Sequence, residues 1–314
     1  MSGPLFDTHV VIDWSARSRP SPARPTKDAI WFAVVRYGEA EAPVYCRTRH
    51  EARGRLTELF VAEADAGRRV LAGFDFPFGY PAGVAAKVSG GKGALDLWDW
   101  IAGRVQDRDD NTSNRFEVAA EINRLYPGVG PFWGRPQSWD YPEIPIGGRA
   151  RHGHGHPPER RIADRLAKGA KTVWQLAYTG SVGSQVILGL PTLAALRNHP
   201  ELAGRIAVWP FDSGLAVPDA QIVLAEIYPS LLQKEAHAAR EDAEVLDSAQ
   251  VRINAEAFSR LDRSGGLAAL FGGSSDLTEE ERRVIETEEA WILGLGHETA
   301  LRSAAVKEAA CAPI

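Results

Sequence analysis

The spacing of apolar positions divides the chain into short strands and amphipathic helices. Thr8 to Trp14 is a compact apolar run that meets an acid near its end, and Ala29 to Tyr37 is β-branched and aromatic until Gly38 stops it. Pro43 to Thr48 predicts a weaker third strand, so the opening reads as an antiparallel meander. Arg53 to Ala66 carries Leu56, Leu59, Phe60 and Ala64 at helical spacing, closed by Gly67. Val70 to Phe76 is another buried strand, cut off by Pro77, Gly79 and Pro81. Later the pattern predicts a helix over Ser184 to Arg197 and strands over Arg205 to Pro210 and Gln221 to Tyr228. Helices over Ser248 to Leu261 and Thr278 to Leu293 complete it.

Residues from about 85 to 172 break this rhythm. They predict one helix, Thr112 to Tyr126 with Asn111 or Thr112 as its cap, then a Pro-, Gly- and Trp-rich loop. Gly147 to Lys171 follows with seven Lys and Arg against two acids. This region reads as an insertion or lid in one domain spanning 1–314. Sequential strands first and alternating elements later imply an α/β fold, a mixed sheet with helices on both faces.

Composition narrows the class without naming a function. Hydrophobic residues are 44% and charged residues 25% of 314, the balance of a soluble globular protein. The two cysteines, Cys46 and Cys311, make a disulfide framework unexpected and a reducing, cytoplasmic setting the expectation. The N-terminal residues show no basic patch followed by an apolar run, and no stretch approaches a membrane span, so neither a leader nor a membrane is expected. A net charge of −5 argues against a wholly basic coat for nucleic acid and leaves room for a local basic groove.

Four acids stand where elements end. Asp13 follows Val10-Val11-Ile12, Asp75 follows Val70 to Phe74, Glu226 follows Ile222 to Ala225, and Asp247 opens the helix before Ser248. Each alone reads as a solvated loop acid, and Asp247 also fits a helix N-cap with Gln250 at the third position. In a layered α/β sheet, however, strand ends gather around one crevice where ligands bind. Four carboxylates meeting there repel one another unless a counter-charge intervenes. Mg²⁺ or Mn²⁺ suits such hard oxygen ligands, and paired ions of this kind cleave phosphodiesters.

The segments V-I-D-W-S (Val11 to Ser15), G-F-D-F-P-F-G-Y-P (Gly73 to Pro81), A-E-I-Y-P-S (Ala225 to Ser230) and D-S-A-Q-V-R-I-N-A-E-A-F (Asp247 to Phe258) together resemble an uncharacterised family of predicted nucleases with the ribonuclease H-like fold. T-G-S-V-G-S-Q (Thr179 to Gln185) fits the family's larger members. The resemblance implies a five-stranded mixed sheet and a metal-binding cluster of Asp13, Asp75, Glu226 and Asp247 acting as both ligands and catalytic groups. Enzymes of this fold carry one acid on the first helix. Here Glu58 and Glu63 have no motif around them, so Glu226 is expected to fill that role from a strand.

The remaining candidates concern phosphate. Thr179, Ser181, Ser184 and Gln185 precede an apolar helix, where exposed amides and hydroxyls cradle anions or simply cap a turn. Arg160 and Arg161 lie in the basic stretch, and the expectation is that they hold phosphates. Gly90-Gly-Lys-Gly93 fails the phosphate-loop pattern, because Gly93 stands where Ser or Thr is required. His152, His154 and His156 lack the spacing of a structural zinc site. Trp133, Trp139 and Tyr141 are expected to pack the insertion rather than stack bases, and Thr278 to Ala290 to form a solvated helix face. The leading expectation is a metal-dependent nuclease or phosphodiesterase. The alternatives are a non-catalytic nucleotide- or nucleic-acid-binding protein and a hydrolase of a small phosphorylated metabolite.

Overall fold

The structure, a computed structural model, describes residues 3–148 and 155–306. In chain order it contains β1 (Thr8–Asp13), β2 (Ile30–Arg36), β3 (Glu39–Ala40), β4 (Val44–Cys46), α1 (Arg49–Asp65) and β5 (Val70–Phe74). Then come α2 (Val84–Ser89), α3 (Ala94–Ala102), α4 (Arg115–Asn123), α5 (Ile162–Leu166), α6 (Gly183–Arg197), β6 (Ile206–Val208) and β7 (Ile222–Glu226). The chain ends in α7 (Gln233–Ala238), α8 (Leu246–Arg263), α9 (Glu279–Val284) and α10 (Glu298–Ala305).

The strands form one mixed sheet in the order β3-β2-β1-β5-β7-β6, with β4 also on β2. β1 pairs antiparallel with β2, and β1, β5, β7 and β6 run parallel. The sheet has seven strands rather than five, because the outer partner of β2 is split into β3 and β4 and because the three-residue β6 adds an edge. Helices cover both faces. Alternate residues of each strand point to opposite sides. Val10, Ile12, Phe74 and Leu224 therefore pack with α1, α3, α4 and α6, while Val11, Leu71, Val223 and Ala225 pack under α8.

Residues 84–182 do not form a separate core. Trp98, Phe116 and Trp174 belong to the same apolar cluster as Ile12 and Phe74. Phe116 also takes Trp139 edge-on at 4.8 Å and Tyr141 in a stack at 5.7 Å, so two of the expected packing aromatics do pack. The helix of this region is shorter than its apolar pattern suggests and starts at Arg115, with Asn114 as cap. Asn111 instead adopts a left-handed backbone, and its side chain binds the Arg49 amide and the Arg19 and Arg47 carbonyls.

One helix expectation fails at Thr278 to Leu293. After α9 the backbone widens into a loose turn, Ile285–Glu289, and stops at Ala290, whose φ is 63°. Glu289 is buried there and accepts the Ala82 and Ile162 amides, so this acid belongs to the interior and not to a solvated face. Among the described residues no helix is long and apolar enough to cross a membrane.

Candidate functional site

Strand register decides which acids meet. Ile12 pairs with Phe74, and the Asp75 amide donates to the Ile12 carbonyl at 2.9 Å, so Asp13 and Asp75 follow side by side on adjacent parallel strands. Both lie on the α8 side of the sheet with Val11 and Leu71. Asp247, in the first turn of α8, overhangs the same end. It is not the helix cap, a position taken by Val245; instead its Oδ2 accepts the Asp28 amide at 2.7 Å. These three acids and Asp28 line one cleft of about 460 Å³.

Glu226 departs from this group for a geometric reason. It pairs with Phe74, one residue before Asp75, so alternation turns its side chain to the opposite face. There Arg161 clamps both its oxygens, at 2.6 and 2.7 Å, and the Phe78 amide donates to Oε2 at 2.9 Å. Arg161 also grips Asp164 and the Glu289 carbonyl. Burial works against its charge, but Asp164 and Glu226 raise its pKa well above the ordinary arginine value. Arg161, expected to hold phosphate, is therefore committed to a buried ion network, while Arg160 remains exposed beside it. Glu63 and Glu58 do not approach the cleft. Glu63 is buried at the other end of β1 with Thr8, Arg36 and Arg68, and Glu58 is exposed on α1.

The cleft acids are electrostatically unsatisfied. No described residue donates a hydrogen bond to the carboxylate of Asp13 or Asp75. Burial, followed by Asp75, Asp247 and Asp28, raises Asp13 well above the usual aspartate range. Burial, then the charges of Glu226 and Asp247, pushes Asp75 up to about 7. Asp247 is raised chiefly by burial, with the Asp28 amide pulling the other way. Such groups stay protonated or acquire a cation. Among the described residues no three His, Cys, Asp or Glu side chains close around a point as tightly as a metal ion requires. The donor set of Asp13, Asp75 and Asp247 nonetheless has the hard-oxygen chemistry of a magnesium or manganese site, and two of its members lack any other partner.

Facing the acids is Arg115, which no sequence motif marked. Only 8% exposed, it is held by the Ser184 and Ser113 hydroxyls, each at 3.0 Å, and pairs with no carboxylate among the described residues. Burial, and then Arg49, lower its pKa to about 10, still charged at neutral pH. Its one sequence signal is its position at the first turn of a predicted helix. The Thr179 to Gln185 segment contributes in part. Ser181, Ser184 and Gln185 line the cleft, and Gln185 donates to the Trp14 carbonyl at 2.7 Å, but Thr179 does not line it. The Gly183 amide is occupied by the Gln175 carbonyl, so the helix start is not an open cradle. Asp75 and Gln185 also wall a smaller cavity of about 140 Å³, which Arg161, Asp164 and Glu226 share and which reaches Lys171 and Tyr228. His156 binds the Pro127 carbonyl. His152, His154 and Cys311 lie outside the described residues.

Compared with protein-family models, with curated proteins and with solved structures, the chain matches none.

Proposed function

We propose that this cleft hydrolyses phosphodiester bonds, the nuclease chemistry that the motif resemblance implies, on a sheet we read as ribonuclease H-like. The observation that supports it most is the pair Asp13 and Asp75, level on adjacent strands, half-buried with no hydrogen-bond donor among the described residues, and facing a buried arginine that pairs with no carboxylate among them. Asp13, Asp75 and Asp247 would hold Mg²⁺ or Mn²⁺, which when bound neutralises the acids and activates water toward a phosphate. Glu226, given to Arg161, supports the sheet end and is left out of the ligand set.

The chain's own groups divide the remaining work. The Arg115 fork binds a non-bridging phosphate oxygen, a role for which its rigid planar donors are suited. Ser184 fixes that fork by accepting from Nε while donating to the Leu176 carbonyl at 2.6 Å. Asp28 holds Asp247 in place through its amide. Asp75, titrating near neutrality, releases its proton as a cation arrives, so cation affinity rises with pH through about 7.

The test is a manganese and magnesium titration that follows melting temperature and cleavage of labelled RNA and DNA. Wild type is expected to gain stability and cut, and Asp13→Asn to do neither. An unresponsive wild type, or an Asp13→Asn variant that responds equally, defeats the reading.

A further inference from the structure

The segment between β1 and β2 borders the cleft at both ends. Ala16 and Arg17 line the cleft as the loop leaves, and Asp28 and Ala29 line it on return. Residues 16–27 contain Arg17, Arg19, Arg24 and Lys27 and no acid. None of the four is ion-paired with a described residue, and Arg19, Arg24 and Lys27 are exposed. Four cations with no acid among them thus stand along one loop, and the last of them, Lys27, lies close enough to Asp247 to act on its charge.

The loop is also held firmly in place. The Arg47 carbonyl binds the Ser21 amide, and Arg47 Nε returns a bond to the Ser21 carbonyl at 2.8 Å. Tyr45 Oη donates to the Pro22 carbonyl, Trp31 Nε1 to the Thr26 carbonyl, and Asn111 to the Arg19 carbonyl. Pro20, Pro22 and Pro25 restrict the backbone further. The charged side chains therefore project from a fixed ribbon. Binding an anionic partner there costs little loop ordering.

An exposed aromatic adjoins the cleft-lining residues Ala177 and Ser181. Tyr178 follows the lining residue Ala177 and has its carbonyl bonded by the amide of Ser181, another lining residue. It is 58% exposed and has a left-handed φ of 75°, an unfavourable backbone for a bulky residue. A hydrophobic ring turned outward beside a polar cleft offers a face for stacking.

We infer that the β1–β2 loop and Tyr178 form a binding track for single-stranded nucleic acid, with phosphates along the four cations and an unpaired base on the tyrosine. The inference rests on the phosphodiester reading of the same cleft and selects a polymer over a small phosphoester. Paired bases have no face free for Tyr178, which is why the track fits a single strand.

The experiment measures binding of a fluorescent oligomer of about 16 nucleotides, near the upper span of one such platform. It uses full-length protein with chelator, so that no turnover occurs. Log affinity is followed from about 50 to 200 mM salt, where each phosphate contact to a single strand contributes about 0.7 to the slope. The triple variant Arg19→Gln, Arg24→Gln, Lys27→Gln is expected to lose about 2 from that slope, with its melting temperature unchanged. Arg19→Lys with Arg24→Lys keeps the slope. Tyr178→Ala weakens binding about tenfold without changing the slope. An unchanged slope in the triple variant overturns the inference. So does a duplex bound as tightly as the single strand, or an anionic phosphatidylserine vesicle that binds with the same dependence on these residues. If strands bind as described while no metal yields cleavage, the hydrolytic reading fails and the track stands.

Discussion

Asp75→Asn is expected to make the metal-free protein more stable, and by an amount that depends on pH. The Asp75 carboxyl is pushed from the ordinary 3.8 up to about 7, first by burial and then by Glu226 and Asp247. Below pH 4 it is protonated both folded and unfolded, and its charge costs nothing. Between pH 4 and 7 the unfolded chain releases the proton while the folded chain keeps it. Stability then falls as pH rises, by about 1.4 kcal/mol per pH unit. Above 7 both states are ionised and the penalty is constant, on the order of 4 kcal/mol in total. Asparagine cannot titrate and never incurs this penalty. Removing the charge also relieves Asp13, which Asp75 raises.

The assay is a set of thermal melts in chelator from pH 4 to 9. The two proteins should melt together at the acid end and separate through neutrality, with the variant about 8 °C higher above pH 7 if each kcal/mol moves the midpoint of a chain this size by about 2 °C. Saturating Mn²⁺ should then narrow the gap, because a ligand at a hundred times its Kd adds about 2.7 kcal/mol to the form that binds it. A gap that is absent, or constant from pH 4 to 9, refutes the claim that Asp75 is a half-buried carboxyl without a counter-charge.

Two further substitutions separate neighbouring roles. Glu226→Gln leaves Arg161 with Asp164 as its one buried carboxylate partner among the described residues and should cost about 3 kcal/mol in urea unfolding; its Mn²⁺-induced rise in melting temperature should match wild type, whereas loss of that rise would restore Glu226 to the ligand set. Arg115→Lys keeps the charge but loses the fork held by Ser184 and Ser113, and should raise KM for an oligonucleotide about tenfold; a defect confined to kcat contradicts its assignment to phosphate binding.

The parts of the site that could be read from the chain are those encoded locally. Apolar runs ending in Asp13 and Asp75 are visible in one dimension, and so is the face of α8 that carries Asp247. What could not be read is parity. Glu226 ends its strand just as Asp75 follows its own, and the motif around it is as suggestive. Only the pairing of Glu226 with Phe74 shows that it is one residue out of step and therefore on the other face. The roles of Arg161, expected to hold phosphate, and of Arg115, which no motif marks, are illegible in the sequence for a related reason. Both are arginines near short helices; one is consumed by Asp164 and Glu226 and the other faces the cleft, and that difference depends on contacts far apart in the chain. Asp28 was passed over because its place beside Asp13 exists only once β1 and β2 pair.

That one-residue offset also explains how the sheet end tolerates so much negative charge. Asp75 and Glu226 sit on adjacent strands, close enough that Glu226 raises Asp75. Had both faced α8, Arg161 would have to serve them together, and a buried arginine bonded to Asp75 would hold its charge permanently neutralised. Turning Glu226 away gives Arg161 the Glu226, Asp164 and Glu289 oxygens as partners, and that ion network fastens the insertion to β7 and to the turn ending at Ala290, although Arg161 and Asp75 border the same small cavity. Asp13 and Asp75 accept no hydrogen bond from any described residue, Arg161 included. A single register step thus decides which carboxylate Arg161 bonds: Glu226 is neutralised by it, and Asp75 beside it is not. Placing an arginine beside the cleft acids, as in Gln185→Arg, should raise metal-free stability above pH 7 and abolish any response to Mn²⁺. Retention of the full Mn²⁺ response in a folded Gln185→Arg protein would show that the cleft carboxylates do not depend on an outside cation for their charge balance.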